Sequence, residues 1–187
     1  MLRATAARAA VVRVTVAIAV VAGVMTLAPH ADAAMGPGGP YAQAQVGLTY
    51  TVYVPTRTFT LKRTSFALDP CGGGLDDFIT AEYGKQASGK SYIGLNEFEK
   101  PCIDGPDGVG RVTTILVKGA KATVMGACAG GASTCASATR GSVLKNGYTT
   151  VTLPAAPGLK STFVEVYTSG LTVAQIRTFL RTLRTVQ

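Results

Sequence analysis

Residues 162–183 have the sequence TFVEVYTSGLTVAQIRTFLRTL, in which a strand pattern is followed by a helix pattern. Residues 162–167 are rich in β-branched and aromatic side chains that alternate along the chain, which is typical of a β-strand with one buried face. Thr172 and Gln175 have the spacing of a capping box, a signal for the start of a helix. Apolar residues then recur at helical spacing, at Val173, Ile176, Leu180 and Leu183. These patterns predict one strand followed by a C-terminal amphipathic helix.

The chain before this segment, from Val46 onward, has the composition of a series of strands. Glycine or proline interrupts it about every ten residues, and the intervening pieces are rich in Val, Thr, Tyr and Ile. The predicted strands are 46–54, 59–68, 78–83, 91–99, 112–118, 121–125, 143–145 and 148–153. Tight turns are predicted at Gly119-Ala120 and at Asn146-Gly147, and Asn-Gly is a strong hairpin signal because both residues tolerate positive φ.

The short connections and the single helix together predict the fold class. Strands joined by so few residues favour antiparallel neighbours. A lone amphipathic helix must bury its apolar face, and the sheet is the surface available to it. We therefore predict an α+β fold, a curved antiparallel sheet of about seven to nine strands with one C-terminal helix packed on one face.

The composition is that of an ordered globular domain. Charged residues make up 15% of the 187-residue chain, below the roughly 25% of average soluble domains, and hydrophobic residues make up 47%. The net charge of +8 predicts attraction to anionic wall polymers, lipid headgroups or nucleic acid, without any specific nucleic-acid site.

The N-terminus has the pattern of a secretory signal peptide, predicted over residues 1–33. Arg3, Arg8 and Arg13 precede an apolar run, and small residues follow at the positions that signal peptidase recognises. The run is shorter than the roughly 18 to 20 residues of a membrane-spanning helix, so we expect no transmembrane anchor after cleavage. Residues 34–45 are predicted to form a flexible leader, and residues 46–187 a single β-rich domain with the C-terminal helix.

The four cysteines are predicted to form two disulfides, because all of them lie in the exported part of the chain. Of the three possible pairings, we favour Cys71 with Cys102 and Cys128 with Cys135. A tetrathiolate metal site is the alternative, but the Cys-x2-Cys spacing that such sites prefer is absent.

No motif in the sequence predicts catalysis, a metal or a cofactor. The single histidine, His30, lies in the signal peptide, which excludes mechanisms that need an imidazole from the mature domain. Residues 84–91 match the phosphate-binding loop of nucleoside triphosphatases, but the residues after them favour a strand over the required helix, so a hairpin turn is predicted. Residues 104–108 lack the ligand spacing of a calcium loop. The candidate carboxylate pairs are Asp76 with Asp77, Glu97 with Glu99, and Asp104 with Asp107.

Glu97 and Glu99 share one face of a predicted strand, and they are interpreted as protective charges on a sheet edge. Arg177, Arg181 and Arg184 form a basic stripe along the predicted C-terminal helix. This stripe could hold a phosphate or an anionic wall polymer, and the alternative is that the arginines are simply solvated.

Four segments resemble a family of uncharacterised bacterial extracytoplasmic β-rich domains. They are ILVKGAKATV at 115–124, NGYTTV at 146–151, SGLT at 169–172, and VYVPT at 52–56. The resemblance implies an architecture similar to the half-barrel of the lipoprotein-carrier fold, a curved antiparallel sheet with helices against its concave side. It implies no catalytic residues. This chain departs from the family pattern in lacking a tryptophan before Asn146-Gly147 and in having four cysteines.

These observations predict a secreted or cell-wall-associated, non-catalytic binding or structural module. Its partner would be an anionic wall polymer or a lipid-like ligand. One alternative is a carrier of an apolar ligand, which requires a pocket of several hundred cubic ångströms between helix and sheet. A structural module requires instead that Ile176, Leu180 and Leu183 fill that space. The other alternative is a protease inhibitor that presents the disulfide-closed loop 128–135.

Overall fold

A computed structural model describes residues 39–87, 89–127 and 143–186. All of these residues belong to one compact unit of the chain. The predicted signal peptide and the predicted Cys128–Cys135 disulfide lie outside the described residues.

Seven antiparallel strands form the main sheet, which confirms the predicted α+β class. In spatial order the strands are β2 (Arg63–Asp69), β3 (Phe78–Gly84), β4 (Tyr92–Phe98), β9 (Thr162–Ser169), β8 (Gly147–Leu153), β6 (Ala120–Ala127) and β5 (Val109–Val117). Strands β2 and β5 each have one neighbour, so the sheet is not closed. Two short pairs complete the structure: β1 (Tyr53–Pro55) with β11 (Leu183–Thr185), and β7 (Val143–Leu144) with β10 (Leu171–Thr172).

Two helices, α1 (Gly39–Gly47) and α2 (Val173–Arg181), contribute to the core on one face of the sheet. The sheet contributes alternate residues of its central strands, and α2 contributes a buried stripe. These core residues are Ile79, Ala81, Ile93, Leu95, Val151, Val164 and Val166 from the sheet, and Val173, Ile176, Phe179 and Leu180 from the helix. We call this the helix face, and the opposite side the outer face.

The predicted capping box at the start of α2 is confirmed. The Thr172 hydroxyl accepts from the Gln175 backbone N–H at 3.2 Å, and the Thr172 N–H donates to the Gln175 side chain at 2.9 Å. The helix ends earlier than predicted, at Arg181, because residues 183–185 pair with β1 as strand β11. Arg184 therefore lies on a strand, and its predicted place in a helical stripe is wrong.

The predicted flexible leader is wrong from Gly39 onward, because α1 begins there. Tyr41 is 2% exposed, and its hydroxyl lies 2.6 Å from that of Tyr83 on β3. Its ring makes an edge contact with Phe66 on β2, at 4.9 Å between centroids. Burying this aromatic side chain offsets the entropy lost by ordering a Gly-, Pro- and Ala-rich segment. The folded domain therefore begins before Val46.

The predicted strand 46–54 is wrong except at its end. Leu48, Tyr50 and Val52 are buried, but Thr51 between them and Tyr53 after them are buried as well, so burial does not alternate. Residues 48–52 are mostly irregular, and hydrogen bonds from a side chain satisfy backbone groups that would otherwise pair with a neighbouring strand. The Gln45 amide donates to the carbonyls of Leu48 and Tyr50, and it accepts from the Val52 N–H at 2.7 Å. The following strand is also shorter than predicted, because Phe59 and Thr60 have positive φ.

The two predicted hairpin turns differ in outcome. The hairpin between β5 and β6 forms, with its positive-φ residues at Lys118 and Gly119, one position earlier than predicted. The hairpin at Asn146-Gly147 is wrong, because β7 pairs with β10 while β8 lies between β6 and β9. Gly147 is required there by close approach, since a Cβ would overlap the Thr168 hydroxyl on β9.

The predicted Cys71–Cys102 disulfide is present, with 5.5 Å between the two Cα atoms. It joins the connection after β2 to the connection after β4. We expect the double variant Cys71→Ser, Cys102→Ser to lose about 3 to 4 kcal/mol of unfolding free energy. Without the crosslink between residues 31 positions apart, the unfolded chain gains conformational entropy. Denaturant unfolding of the oxidised protein measures this loss.

The matched control is the double variant Cys128→Ser, Cys135→Ser, which would open a much shorter predicted loop. Loop-closure entropy gives that crosslink about 2.5 kcal/mol. An unfolding midpoint for the Cys71, Cys102 variant equal to that of the parent would contradict the expected stabilisation.

Candidate functional site

The residues of the candidate carboxylate pairs lie in different surroundings. Asp76 accepts from the Thr49 backbone N–H at 2.5 Å, and this hydrogen bonding lowers the pKa of Asp76. Glu99 forms an ion pair with Lys160 at 2.8 Å. Asp104 and Asp107 lie in the connection between β4 and β5. Among the described residues, no group of three or more His, Cys, Asp or Glu side chains is placed to hold a metal ion.

Glu97 occupies an environment that the sequence does not predict. The prediction of an edge strand is wrong, because β4 lies between β3 and β9. The Glu97 carboxyl points into the helix face with none of its surface exposed. Its Oε2 accepts from the Tyr53 N–H at 2.8 Å, and its Oε1 has no hydrogen-bond partner. Burial raises the pKa of Glu97 well above its ordinary value of 4.5.

Tyrosines surround Glu97 and hold the N-terminal segment on the sheet. The Tyr50 hydroxyl donates to the carbonyls of Glu97, at 2.9 Å, and Asp77, at 3.1 Å. Burial raises the pKa of Tyr41, Tyr50 and Tyr83 above the usual 10.0. These hydroxyls stay protonated, and the cluster has the character of a structural anchor.

We expect Glu97→Gln to remove a pH dependence of stability. Between pH 4.5 and its raised folded pKa, Glu97 holds a proton in the folded chain that it loses in the unfolded chain. Stability due to this group is therefore greatest below pH 4.5 and falls as the pH rises, by about 1.4 kcal/mol per pH unit. Glutamine stays neutral, so the variant gains stability relative to the parent as the pH approaches 7. Denaturant unfolding at a series of pH values measures the slope.

The control is Glu99→Gln, which breaks the Lys160 pair on the surface. This variant keeps the slope of the parent, because its carboxylate is not the buried one. If the unfolding free energy changed equally with pH in the parent and in Glu97→Gln, Glu97 would not be the source of the pH dependence.

Residues 84–91, which match the phosphate-loop pattern, begin at the last residue of β3 and continue through the connection to β4. No helix follows them, because β4 begins at Tyr92. Gly84 has a φ of 80°, and a Cβ there would lie 2.7 Å from the Ser91 carbonyl oxygen. The predicted hairpin turn is confirmed.

Two of the three stripe arginines line one groove between α2 and edge strand β5. The groove has a volume of about 480 Å³. We call it the arginine groove, and its lining residues are Thr113, Thr114, Ile115, Leu116, Val173, Ala174, Arg177, Thr178 and Arg181. Arg184 is not among them. The groove is open to solvent, since Thr114, Leu116 and Arg181 are exposed.

The electrostatics of the arginine groove favour an anion. No acidic side chain is among its lining residues. Arg177 Nε is buried without a hydrogen-bond partner. Arg111 on β5 donates to the hydroxyl of Thr114 at 3.2 Å, so a third guanidinium lies next to a residue that lines the groove. Two arginine side chains with no acidic side chain beside them on the groove walls favour an anion there.

The space directly beneath α2 is filled with side chains. Ile176, Leu180 and Leu183 are each 0% exposed and belong to the core. This is the arrangement that the structural-module prediction requires. The arginine groove lies beside the helix, and threonine and arginine side chains supply much of its lining.

A second pocket, on the outer face, is absent from the sequence predictions. We call it the tyrosine pocket; it has a volume of about 430 Å³, and its walls include Tyr92, Tyr148, Tyr167 and Asp107. These tyrosines come from the neighbouring strands β4, β8 and β9, so only the strand order brings them together. Each tyrosine alternates with core residues along its strand, which indicates that it lies on the outer face. The predicted Asn146-Gly147 hairpin, however, pairs β8 with residues 143–145, so the sequence does not predict that β8 lies next to β9.

Comparison of the chain with models of protein families, with curated proteins and with solved structures finds no significant match. In the part of the chain that the structure describes, neither helix is long and apolar enough to cross a membrane.

Proposed function

We propose that this protein is a secreted or cell-wall-associated, non-catalytic binding module that holds an anionic wall polymer in the arginine groove. The observation that carries the proposal is that Arg177 and Arg181 both line the groove, with no acidic side chain among its lining residues. An oxygen of a phosphate or carboxylate is the natural partner of a guanidinium group.

The groove combines two kinds of donor that suit a chain of repeated anionic groups. Arg177 and Arg181 are one helical turn apart on α2, so their guanidinium groups lie on the same side. Thr113 and Thr114 on β5 and Thr178 on α2 add hydroxyl groups along the walls. The Thr178 hydroxyl donates to the Ala174 carbonyl at 2.9 Å, so the hydroxyls of Thr113 and Thr114 are the better placed of the three to donate to an anion.

Secretion is supported by two features. The Cys71–Cys102 disulfide suits an oxidising compartment, and residues 1–33 have the pattern of a signal peptide. The net charge of +8 favours anionic partners, wall polymers among them, by long-range attraction. The filled space beneath α2 favours this module over a carrier of apolar ligands.

We expect the double variant Arg177→Gln, Arg181→Gln to weaken binding of long-chain polyphosphate at least about tenfold, because it removes two charge-assisted contacts. Isothermal titration calorimetry at low and physiological salt measures the change. The affinity of the parent should fall with added salt, and that of the variant should fall less.

Arg184→Gln is the matched control, because Arg184 is an exposed arginine on β11 outside the groove. It should bind polyphosphate like the parent, and uncharged dextran should bind to neither protein. If Arg184→Gln lost as much affinity as Arg181→Gln alone, the attraction would come from net charge, and the groove proposal would be wrong.

A further inference from the structure

We infer that the tyrosine pocket binds a small organic cation of the alkylammonium type. This site lies on the outer face, away from the arginine groove on the helix face. Tyr92, Tyr148 and Tyr167 project there because they alternate with Ile93, Thr149 and Val166, which are buried on the helix face.

The walls of the pocket are aromatic rings in fixed positions. The rings of Tyr148 and Tyr167 are 5.0 Å apart between centroids, with their planes at 48°. Tyr92 extends over Gly94 of its own strand, where a Cβ would lie 2.8 Å from the Tyr92 hydroxyl. Gly105, in the connection after β4, approaches the Tyr148 hydroxyl in the same way, at 2.9 Å from an added Cβ. Both glycines provide the room that these rings need.

Carboxylates behind the rings make the pocket electronegative. The hydroxyls of Tyr148 and Tyr167 donate to the two oxygens of Glu165, at 2.6 and 3.2 Å, and Glu165 is only 2% exposed. The Tyr92 hydroxyl donates to Glu82 at 2.9 Å. Each such bond holds the ring in place and adds negative charge at its edge. A cation over an aromatic face is attracted by the negative π surface, and nearby carboxylates strengthen that attraction.

The lining residues reinforce the same preference. They include Asp107 and no lysine, arginine or histidine, although the chain as a whole carries a net charge of +8. Two kinds of ligand are therefore disfavoured. An anion would face Asp107 and Glu165 without a basic partner from the pocket walls, and a purely apolar ligand would gain nothing from the carboxylates.

A sugar is a poorer fit than a cation because the tyrosine hydroxyls are already committed. Burial and the neighbouring Glu165 raise the pKa of Tyr167 to about 12, and burial also raises the pKa of Tyr92 and Tyr148. The hydroxyls therefore stay protonated, and each donates its one proton to a carboxylate. The volume of about 430 Å³ suits a small molecule with an ammonium head.

The test compares choline with dimethylbutanol, its uncharged carbon isostere, on the intact protein. Tyrosine fluorescence reports binding directly, because the chain contains 7 tyrosines and no tryptophan. We expect choline to change the signal saturably at millimolar concentration or below, and dimethylbutanol to bind at least about tenfold more weakly. No saturable response to choline, or equal affinity for the two ligands, would overturn the inference.

Two variants locate the site. Asp107→Asn at an exposed position should weaken choline binding about two- to fivefold, and Tyr167→Leu about fivefold or more, with folding checked by circular dichroism. Asp104→Asn is the matched control, because Asp104 is exposed in the same connection but does not line the pocket. If Asp104→Asn weakened binding as much as Asp107→Asn, the cation would be held by diffuse surface charge and the inference would fail.

Discussion

Burial of one sheet face under α2 and the N-terminal segment is the constraint on which the rest of the structure depends. Apolar residues of the central strands alternate toward that face, and Ile176, Phe179 and Leu180 of the helix fill the space above them. Because the helix face is occupied, the two binding surfaces proposed for the described residues lie at its margin and on the opposite side. The arginine groove lies at the margin, along edge strand β5, and the tyrosine pocket lies on the outer face.

Carboxylates serve different purposes on the two faces. Glu97 faces the core, where burial raises its pKa and the Tyr53 N–H donates the hydrogen bond that fixes the carboxyl. Glu165 faces the outer side, where two tyrosine hydroxyls satisfy its oxygens. Glu97 and Glu165 are the same residue type on adjacent central strands of one sheet. Their different surroundings therefore come from the side chains that neighbour each carboxyl. It separates a group that anchors the fold from one that shapes a pocket.

Local patterns in the sequence predict much of this fold, and patterns that depend on distant partners do not. The capping box, the β5–β6 hairpin, the turn at 84–91 and the Cys71–Cys102 disulfide follow from nearby residues or simple pairing rules. Strand order does not, so the sequence places Glu97 on an edge and pairs β7 with β8. Residues 183–185 continue the helical spacing of α2, yet backbone pairing with β1 gives them another structure. Arg177 and Arg181 were recognisable from helical spacing, whereas three tyrosines on separate strands carry no common sequence signal.

The pairing of β1 with β11 has a consequence for the order in which the molecule is assembled. Tyr53 lies opposite Thr185, so residues 132 positions apart in the sequence must meet to form this pair. Strand β9 lies between β4 and β8, so β4 also pairs with residues far along the chain. Contacts between residues so far apart slow folding, because a long loop must close before they can form. We therefore expect the pairing of β1 with β11 to form late, after the hairpins whose strands are neighbours in the sequence.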